Sequence, residues 1–211
     1  LNADTPEFRT TDIIPSVKKV LATGGETVLE KQLSLTFHED FANEGKLLKE
    51  KLTAWHGLEV VSEAPVTIVM DYLSDRKKAV NEEYYELCID GQQIRISATT
   101  PHGSFKGTQT VLGLLKGQES PFRLEAMSIQ DYPDLLYRGQ MLDIARNYTT
   151  VDNLKKLIDM LSSYKLNVLQ FHFSDDEGWR LEIPGLEELT AIGSRRGHTT
   201  DEKDWLYPAY D

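Results

Sequence analysis

Hydrophobic and polar positions change their rhythm several times along the chain, and each change predicts an element. Leu33, Leu35 and Phe37 alternate with polar neighbours, the period of a half-buried strand. Between Phe41 and Trp55 the spacing lengthens. Leu48, Leu52 and Trp55 fall on one helical face, and Gly57 follows as a stop. Val66 to Met70 is a short apolar run after Pro65 and predicts a central strand. Tyr85, Leu87 and Ile89 alternate, Asp90-Gly91 supplies a positive-φ turn, and Ile94, Ile96 and Ala98 alternate back, which predicts a β-hairpin. Gly103 introduces a second helix with a stripe of Phe105, Thr108, Val111, Leu112 and Leu115, ended by Gly117. Leu124 to Ile129 adds an edge strand. Residues 1–27, broken by Pro6, Pro15, Gly24 and Gly25, read as an irregular lead-in with one short strand near Val17 to Leu21.

Taken together, residues 1–130 predict an α+β domain of about four strands, mostly antiparallel, with two helices sharing one face because each carries a single apolar stripe. Asp131-Tyr132-Pro133-Asp134 is a polar, proline-bearing link and the predicted boundary. Residues 131–211 follow a different plan. Met141 to Ala145 predicts a buried strand. Thr149 or Thr150 caps a helix with a wide apolar face of Val151, Leu154, Leu157, Ile158, Leu161 and Tyr164, and Asn167 ends it in the left-handed region. Val168 to Phe173 is a second strand, and beyond Arg180 the pattern turns irregular. One strand-helix-strand unit seals neither margin of its sheet. More chain or a partner must supply the missing strands, and the open margins also suit association between copies.

Composition narrows the function classes. The chain has 211 residues, 40% of them hydrophobic, enough for a packed core. Its net charge of -11 and lack of any basic run argue against general nucleic-acid binding. No apolar run approaches the ~20 residues of a membrane-spanning helix. The one cysteine, Cys88, excludes an internal disulfide and reads as a small core residue. The chain opens at Leu1 without a basic-then-apolar leader. That fits a cytosolic protein, or a secreted or periplasmic one whose signal peptide has been removed.

Candidate chemistry gathers just past the second strand of the strand-helix-strand unit, the end where parallel α/β folds collect their sites. Asp175 and Asp176 are adjacent carboxylates there, able to orient a histidine, hold a hydroxyl or bind a metal, or forming only a solvated acidic turn. His172 is either a hydrogen-bonded core residue or a base. Trp179 beside Arg180 is either a sugar-stacking wall or a plug for the sheet end. Arg138 opens the first strand, and its guanidinium suits either two neighbouring hydroxyls or an ion pair with Asp143 or Asp175. It starts the strand, so it lies toward the face opposite the usual active site. Dinucleotide, P-loop, nucleophile-elbow and HExxH motifs are missing, and the five histidines show no metal-ligand spacing.

The stretches YRGQMLDIARNY, SYKLNVLQFHFSDDEGWRLEI and LTAIGSRR resemble the start of the catalytic barrel of β-N-acetylhexosaminidases of glycoside hydrolase family 20. EEYYELCIDGQQIRISATTPHGSFKGTQTVLGLL is similar to the small α+β domain that precedes that barrel. The resemblance implies an accessory domain followed by the first β-α-β of a TIM (β/α)8 barrel, incomplete in this chain. It also implies removal of terminal N-acetylglucosamine or N-acetylgalactosamine with retention, the substrate's own acetamido oxygen serving as nucleophile. No cofactor and no metal are implied. Arg138 matches the arginine that grips the terminal sugar, and Asp175 the aspartate that orients a histidine beside the acid/base glutamate. Asp176, Trp179 and Arg180 complete the substrate-binding motif. Asn147 stands where many members have histidine, and Glu177 where glutamine is usual. The family's catalytic Asp-Glu pair falls beyond Asp211, so the chain is expected to be inactive alone. The alternative is a non-catalytic glycan-binding or docking module.

Overall fold

A computed structural model of the chain describes residues 13–176, 178–196 and 205–206, the last two and 195–196 as backbone only. Glu177 and the predicted irregular stretches 1–12 and 197–204 lie outside the described residues, as do 207–211. The chain divides into two compact units, Leu1–Asp134 and Leu135–Asp211.

The first unit opens with β1 (Lys19–Leu29), β2 (Gln32–Phe37), α1 (Ala42–His56), β3 (Glu59–Val61) and β4 (Thr67–Tyr72). It continues with β5 (Tyr85–Asp90), β6 (Gln93–Ala98), α2 (Pro101–Leu115) and β7 (Phe122–Asp131). The strands form one seven-stranded sheet in the order β1-β7-β5-β6-β4-β2-β3. The mostly antiparallel expectation is corrected here. β5–β6, β5–β7 and β1–β7 are antiparallel, whereas β4–β6, β2–β4 and β2–β3 are parallel, so half the sheet is parallel. A parallel pair is joined through a distant crossover and leaves no turn signature for the sequence to show.

Two further strand expectations change. β1 is an 11-residue strand rather than a short one, because Gly24 and Gly25 sit at positive φ in a register shift between Ala22 and Glu26. They make a β-bulge that bends the strand and lets pairing resume. β7 lies inside the sheet between β1 and β5, not at its edge. The hairpin pairs as the alternation requires, with Leu87 opposite Ile96 and Ile89 opposite Ile94.

The inward residues of both helices and the sheet make one apolar cluster running from Ile13 to Ile129. α1 buries Leu48 and Leu52, and Gly57 stops it at φ 64 with its amide on Leu52 and Thr53 carbonyls, but Trp55 stays exposed. α2 starts two residues before Gly103, capped by the Thr100 side chain with Pro101 at the first helical position. Gly103 itself is a point of close approach, since a β-carbon there would collide with the Tyr84 backbone carbonyl. α2 is buried on more than a stripe: Lys106, Gln109 and Thr110 are also covered, while Phe105 is only half-buried. Lys106 meets Glu83 at 3.4 Å, and the Tyr85 hydroxyl meets Thr110 at 2.6 Å and donates to Asp131 at 3.1 Å. Burial pushes the Tyr85 hydroxyl well above its ordinary pKa, so it stays a donor.

The other face of the sheet is polar. Asp71, Glu86, Cys88, Arg95 and Ser97 line a depression of about 400 Å³ there. Cys88 is therefore exposed, not a core residue, because it occupies the outward parity of β5 between buried Leu87 and Ile89.

The second unit holds β8 (Gly139–Asp143), α3 (Val151–Ser163), β9 (Val168–His172) and α4 (Glu187–Gly193). β10 (Arg195–Arg196) pairs antiparallel with β11 (Trp205–Leu206). β8 and β9 pair in parallel, Gly139 opposite Val168 and Asp143 opposite His172, forming a two-stranded sheet. Thr150 caps α3 by accepting from the Asn153 amide at 3.3 Å. α3 ends three to four residues earlier than the Asn167 stop predicts, and Lys165 takes the left-handed position at φ 59. Asn167 braces the start of β8 instead, accepting from the Arg138 amide at 2.9 Å and donating to the Leu136 carbonyl at 2.7 Å. α3 buries none of its residues. Leu136, Tyr137, Met141, Ile158 and Ile192 stay exposed. No helix among the described residues is long and apolar enough to cross a membrane.

Candidate functional site

Parallel pairing puts the carboxyl ends of β8 and β9 side by side, and the ionisable groups of the second unit meet there. Asp143 is the last residue of β8 and His172 the last of β9. Asp175 follows on a tight loop closed by a bridge between Ser174 and Trp179. Its Oδ2 lies 2.6 Å from His172 Nε2 and also accepts a hydrogen bond from Arg146 Nη2. Its Oδ1 accepts the Asp176 amide at 2.7 Å. A carboxylate only accepts, so His172 presents Nε2–H to it. The Arg146 amide and Nη1 both bond Asp143, at 3.0 and 3.1 Å, and Nε lies 3.9 Å from Asp176 Oδ1. One guanidinium thus joins three carboxylates from two strand ends.

The Asp175 carboxyl is held well below the usual carboxylate range. The hydrogen bond with the Asp176 side chain contributes most, then His172, the Asp176 amide and the Arg146 charge. At neutral pH this group is an anion with an aimed hydrogen-bonding pattern, suited to orienting a donor rather than transferring its own proton.

The structure gathers only some of the residues singled out by sequence. Asp175 and Asp176 stand in the cluster, the Asp176 side chain largely in solvent. Trp179 is half-buried, its indole N–H donating to the Leu181 carbonyl. Arg180 is fully buried. Its Nε and Nη2 donate to Ala145 at 3.0 and 2.8 Å, and Nη1 donates to Ser194 at 2.6 Å. It is turned to backbone carbonyls and pins the loop beneath the end of β8. Arg138 precedes β8, at the opposite end from Asp143. Its Nε and Nη2 donate to the Lys165 carbonyl at 3.0 and 2.7 Å, and Nη1 to Leu135 at 2.7 Å. The ion pairs weighed for Arg138 with Asp143 or Asp175 are made by Arg146 instead. Sequence reasoning missed Arg146 altogether. The available signal was its place three residues after Asp143, just past the strand end.

No group of histidine, cysteine and carboxylate side chains among the described residues is arranged to hold a metal.

The chain is thus an α+β unit followed by a strand-helix-strand unit with carboxylates gathered at its strand ends. Comparison with known proteins gives the family. Residues 10–132 match the family description "Glycosyl hydrolase family 20, domain 2", and residues 135–210 match "Glycosyl hydrolase family 20, catalytic domain". The chain belongs to glycosyl hydrolase family 20. It is 40% identical over 152 residues to an N,N'-diacetylchitobiase of Vibrio harveyi, covering 72% of this chain and 17% of that protein. A beta-hexosaminidase of Vibrio furnissii is 30% identical over 192 residues, covering 89% of this chain and 30% of that protein. Among solved structures, the GH20 exo beta-N-acetylglucosaminidase of Vibrio harveyi in complex with N-acetylglucosamine superposes with a TM-score of 0.79 at 31% identity. The match covers 99% of this chain and 32% of that one. The beta-N-acetylhexosaminidase of Bacteroides fragilis gives 0.77 at 27% identity, over 93% and 40% of the two chains. The chain spans less than a third of the length of these two sequence relatives.

Proposed function

We propose that this chain is part of a β-N-acetylhexosaminidase, an accessory domain followed by the opening strands of a (β/α)8 barrel. The observation that carries the reading is the Asp143–Arg146–His172–Asp175 cluster at the carboxyl ends of two parallel strands, within a stretch that matches the family's catalytic domain. Barrel enzymes build their sites at that end of the strands. β8 and β9 are then two of eight strands, and the exposed apolar residues of α3 and both sheet margins are surfaces that the remaining strands and helices cover.

In the whole enzyme the substrate is a glycan ending in N-acetylglucosamine or N-acetylgalactosamine. Hydrolysis proceeds with retention through the substrate's acetamido oxygen. Asp175 supplies a fixed negative charge that orients a donor beside the sugar, and Asp176 faces the solvent-filled pocket mouth. Trp179 forms part of the wall. Arg180 holds the loop's shape. Arg138 reaches sugar hydroxyls only if its side chain swings up from the Lys165 carbonyl. The family's catalytic Asp-Glu pair is matched by no residue of this cluster, and the 211-residue chain is expected not to turn over substrate. The test is hydrolysis of a chromogenic N-acetylglucosaminide by the purified chain and by a longer product of the same gene. Turnover by the longer protein alone supports the reading. Turnover by the 211-residue chain refutes the claim of inactivity, and a longer protein that binds glycan without hydrolysis favours a binding module.

A further inference from the structure

We propose that Arg146 is a positioning residue for Asp175, tying the loop after β9 to the end of β8 so that the Asp175 carboxylate keeps one orientation. This rests on the reading of the cluster as part of the enzyme's sugar site. Arg146 is anchored first on its own strand, by its amide and Nη1 on the two oxygens of Asp143. Its other guanidinium nitrogens then face the loop, Nη2 on Asp175 Oδ2 and Nε toward Asp176. A planar fork with fixed donor directions can hold carboxylates from two segments at once, which an ammonium cannot do with the same geometry.

Charge gives the second reason. Asp143, Asp175 and Asp176 converge within reach of one guanidinium, and His172 is the other ring beside Asp175. Three carboxylates so placed repel one another and favour protonation, and the guanidinium among them offsets part of that repulsion beside the hydrogen bonds from Asp176 and His172. Arg146 is 48% exposed and the Asp175 side chain 21% exposed, so the guanidinium shields the carboxylate while remaining at the surface. Removing it should leave the fold in place and release the Asp175 side chain.

The experiment follows the side-chain carboxyl carbon of Asp175 by NMR across a pH titration of the 211-residue chain. In Arg146→Met the midpoint is expected to rise toward the ordinary aspartate value of about 3.9, while the hydrogen bonds from Asp176 and His172 still hold it below that value. Arg146→Lys restores the charge but not the fork and should fall between. The signals of the first unit should not move. If Arg146→Met does not fold, Arg146→Gln keeps a polar side chain without the charge and should shift the midpoint in the same direction. An unchanged midpoint in a folded variant, with or without a loss of thermal stability, overturns the proposal. Adding N-acetylglucosamine to a longer product of the same gene tests the sugar reading separately. A midpoint shift in Arg146→Met with no response to the sugar supports the positioning role and counts against the sugar site.

Discussion

α1 and α3 have similar lengths, and α3 has the wider apolar face, yet they end differently. α1 buries Leu48 and Leu52 against a seven-stranded sheet, whereas α3 buries no residue fully and leaves Leu154, Leu157 and Leu161 half-exposed. The contrast extends to the units that contain them. In the first, inward residues from both helices and the sheet close one cluster. In the second, a two-stranded sheet carries one long helix, and the buried side chains among the described residues are Ile144 and Ala145 with the polar Lys165, Arg180 and Ser194. Amphipathic spacing therefore says which face of an element asks for cover. Whether cover exists depends on how many other elements the chain supplies.

The largest expected effect separates the two units by truncation. Leu87→Ala in the first unit removes a fully buried side chain from a packed sheet and should cost about 2–5 kcal/mol. Ile158→Ala on α3 removes an exposed one and should change stability by less than about 0.5 kcal/mol. Denaturant unfolding checks both. Equal losses would mean that α3 is packed as well as the strands of the first unit.

A smaller effect is expected at Arg180. Arg180→Met leaves the carbonyls of Ala145 and Ser194 without their buried donor, a cost of about 1–3 kcal/mol. It should be confined to the second unit, seen as faster amide exchange around Ile144 and Ala145 with β5–β6 exchange unchanged. Activity loss in a longer, active protein without this local loosening would return Arg180 to the substrate.

The smallest effects are pH dependent and should fall in different windows. Burial beside Phe122 lowers the His56 pKa, so the neutral ring is the favoured folded form. Its contribution is complete above about pH 6.5 and is lost as pH falls through the depressed folded value. Asp175 is also depressed. Its contribution is complete above the ordinary carboxylate value of about 3.9 and is lost only below it. Mild acid should loosen the first unit at the α1–β7 contact before it affects the strand-end cluster. His56→Gln should remove the first window and leave the second.

Much of this was legible in the residues, for local reasons. The β5–β6 hairpin announces itself through alternation around Asp90-Gly91, and Thr150 and Gly57 mark helix ends by their own chemistry. The parallel half of the sheet was not legible, because β2, β4 and β6 meet through crossovers with no shared turn. Gly24-Gly25 looked like a break, since a bulge and a loop use the same residues. In the site, Asp175 and Asp176 were visible as a pair past a strand end. Arg146 was not, because an arginine's partners are set by which strands pair. Arg180 was visible as a motif residue, but its backbone-carbonyl partners at Ala145 and Ser194 were not, because they depend on how the loop folds back under the end of β8.

The most direct measurement is native-state hydrogen exchange of the 211-residue chain, read amide by amide. If the second unit is the open beginning of a larger barrel, amides of β5, β6 and β7 exchange only by global unfolding. Those of β8, β9 and α3 should then exchange at least about a hundredfold faster, a gap of about 2.7 kcal/mol in opening free energy. Protection of the β8–β9 amides equal to that of β5–β6 would contradict it, because a sheet with two unsealed margins cannot be that stable.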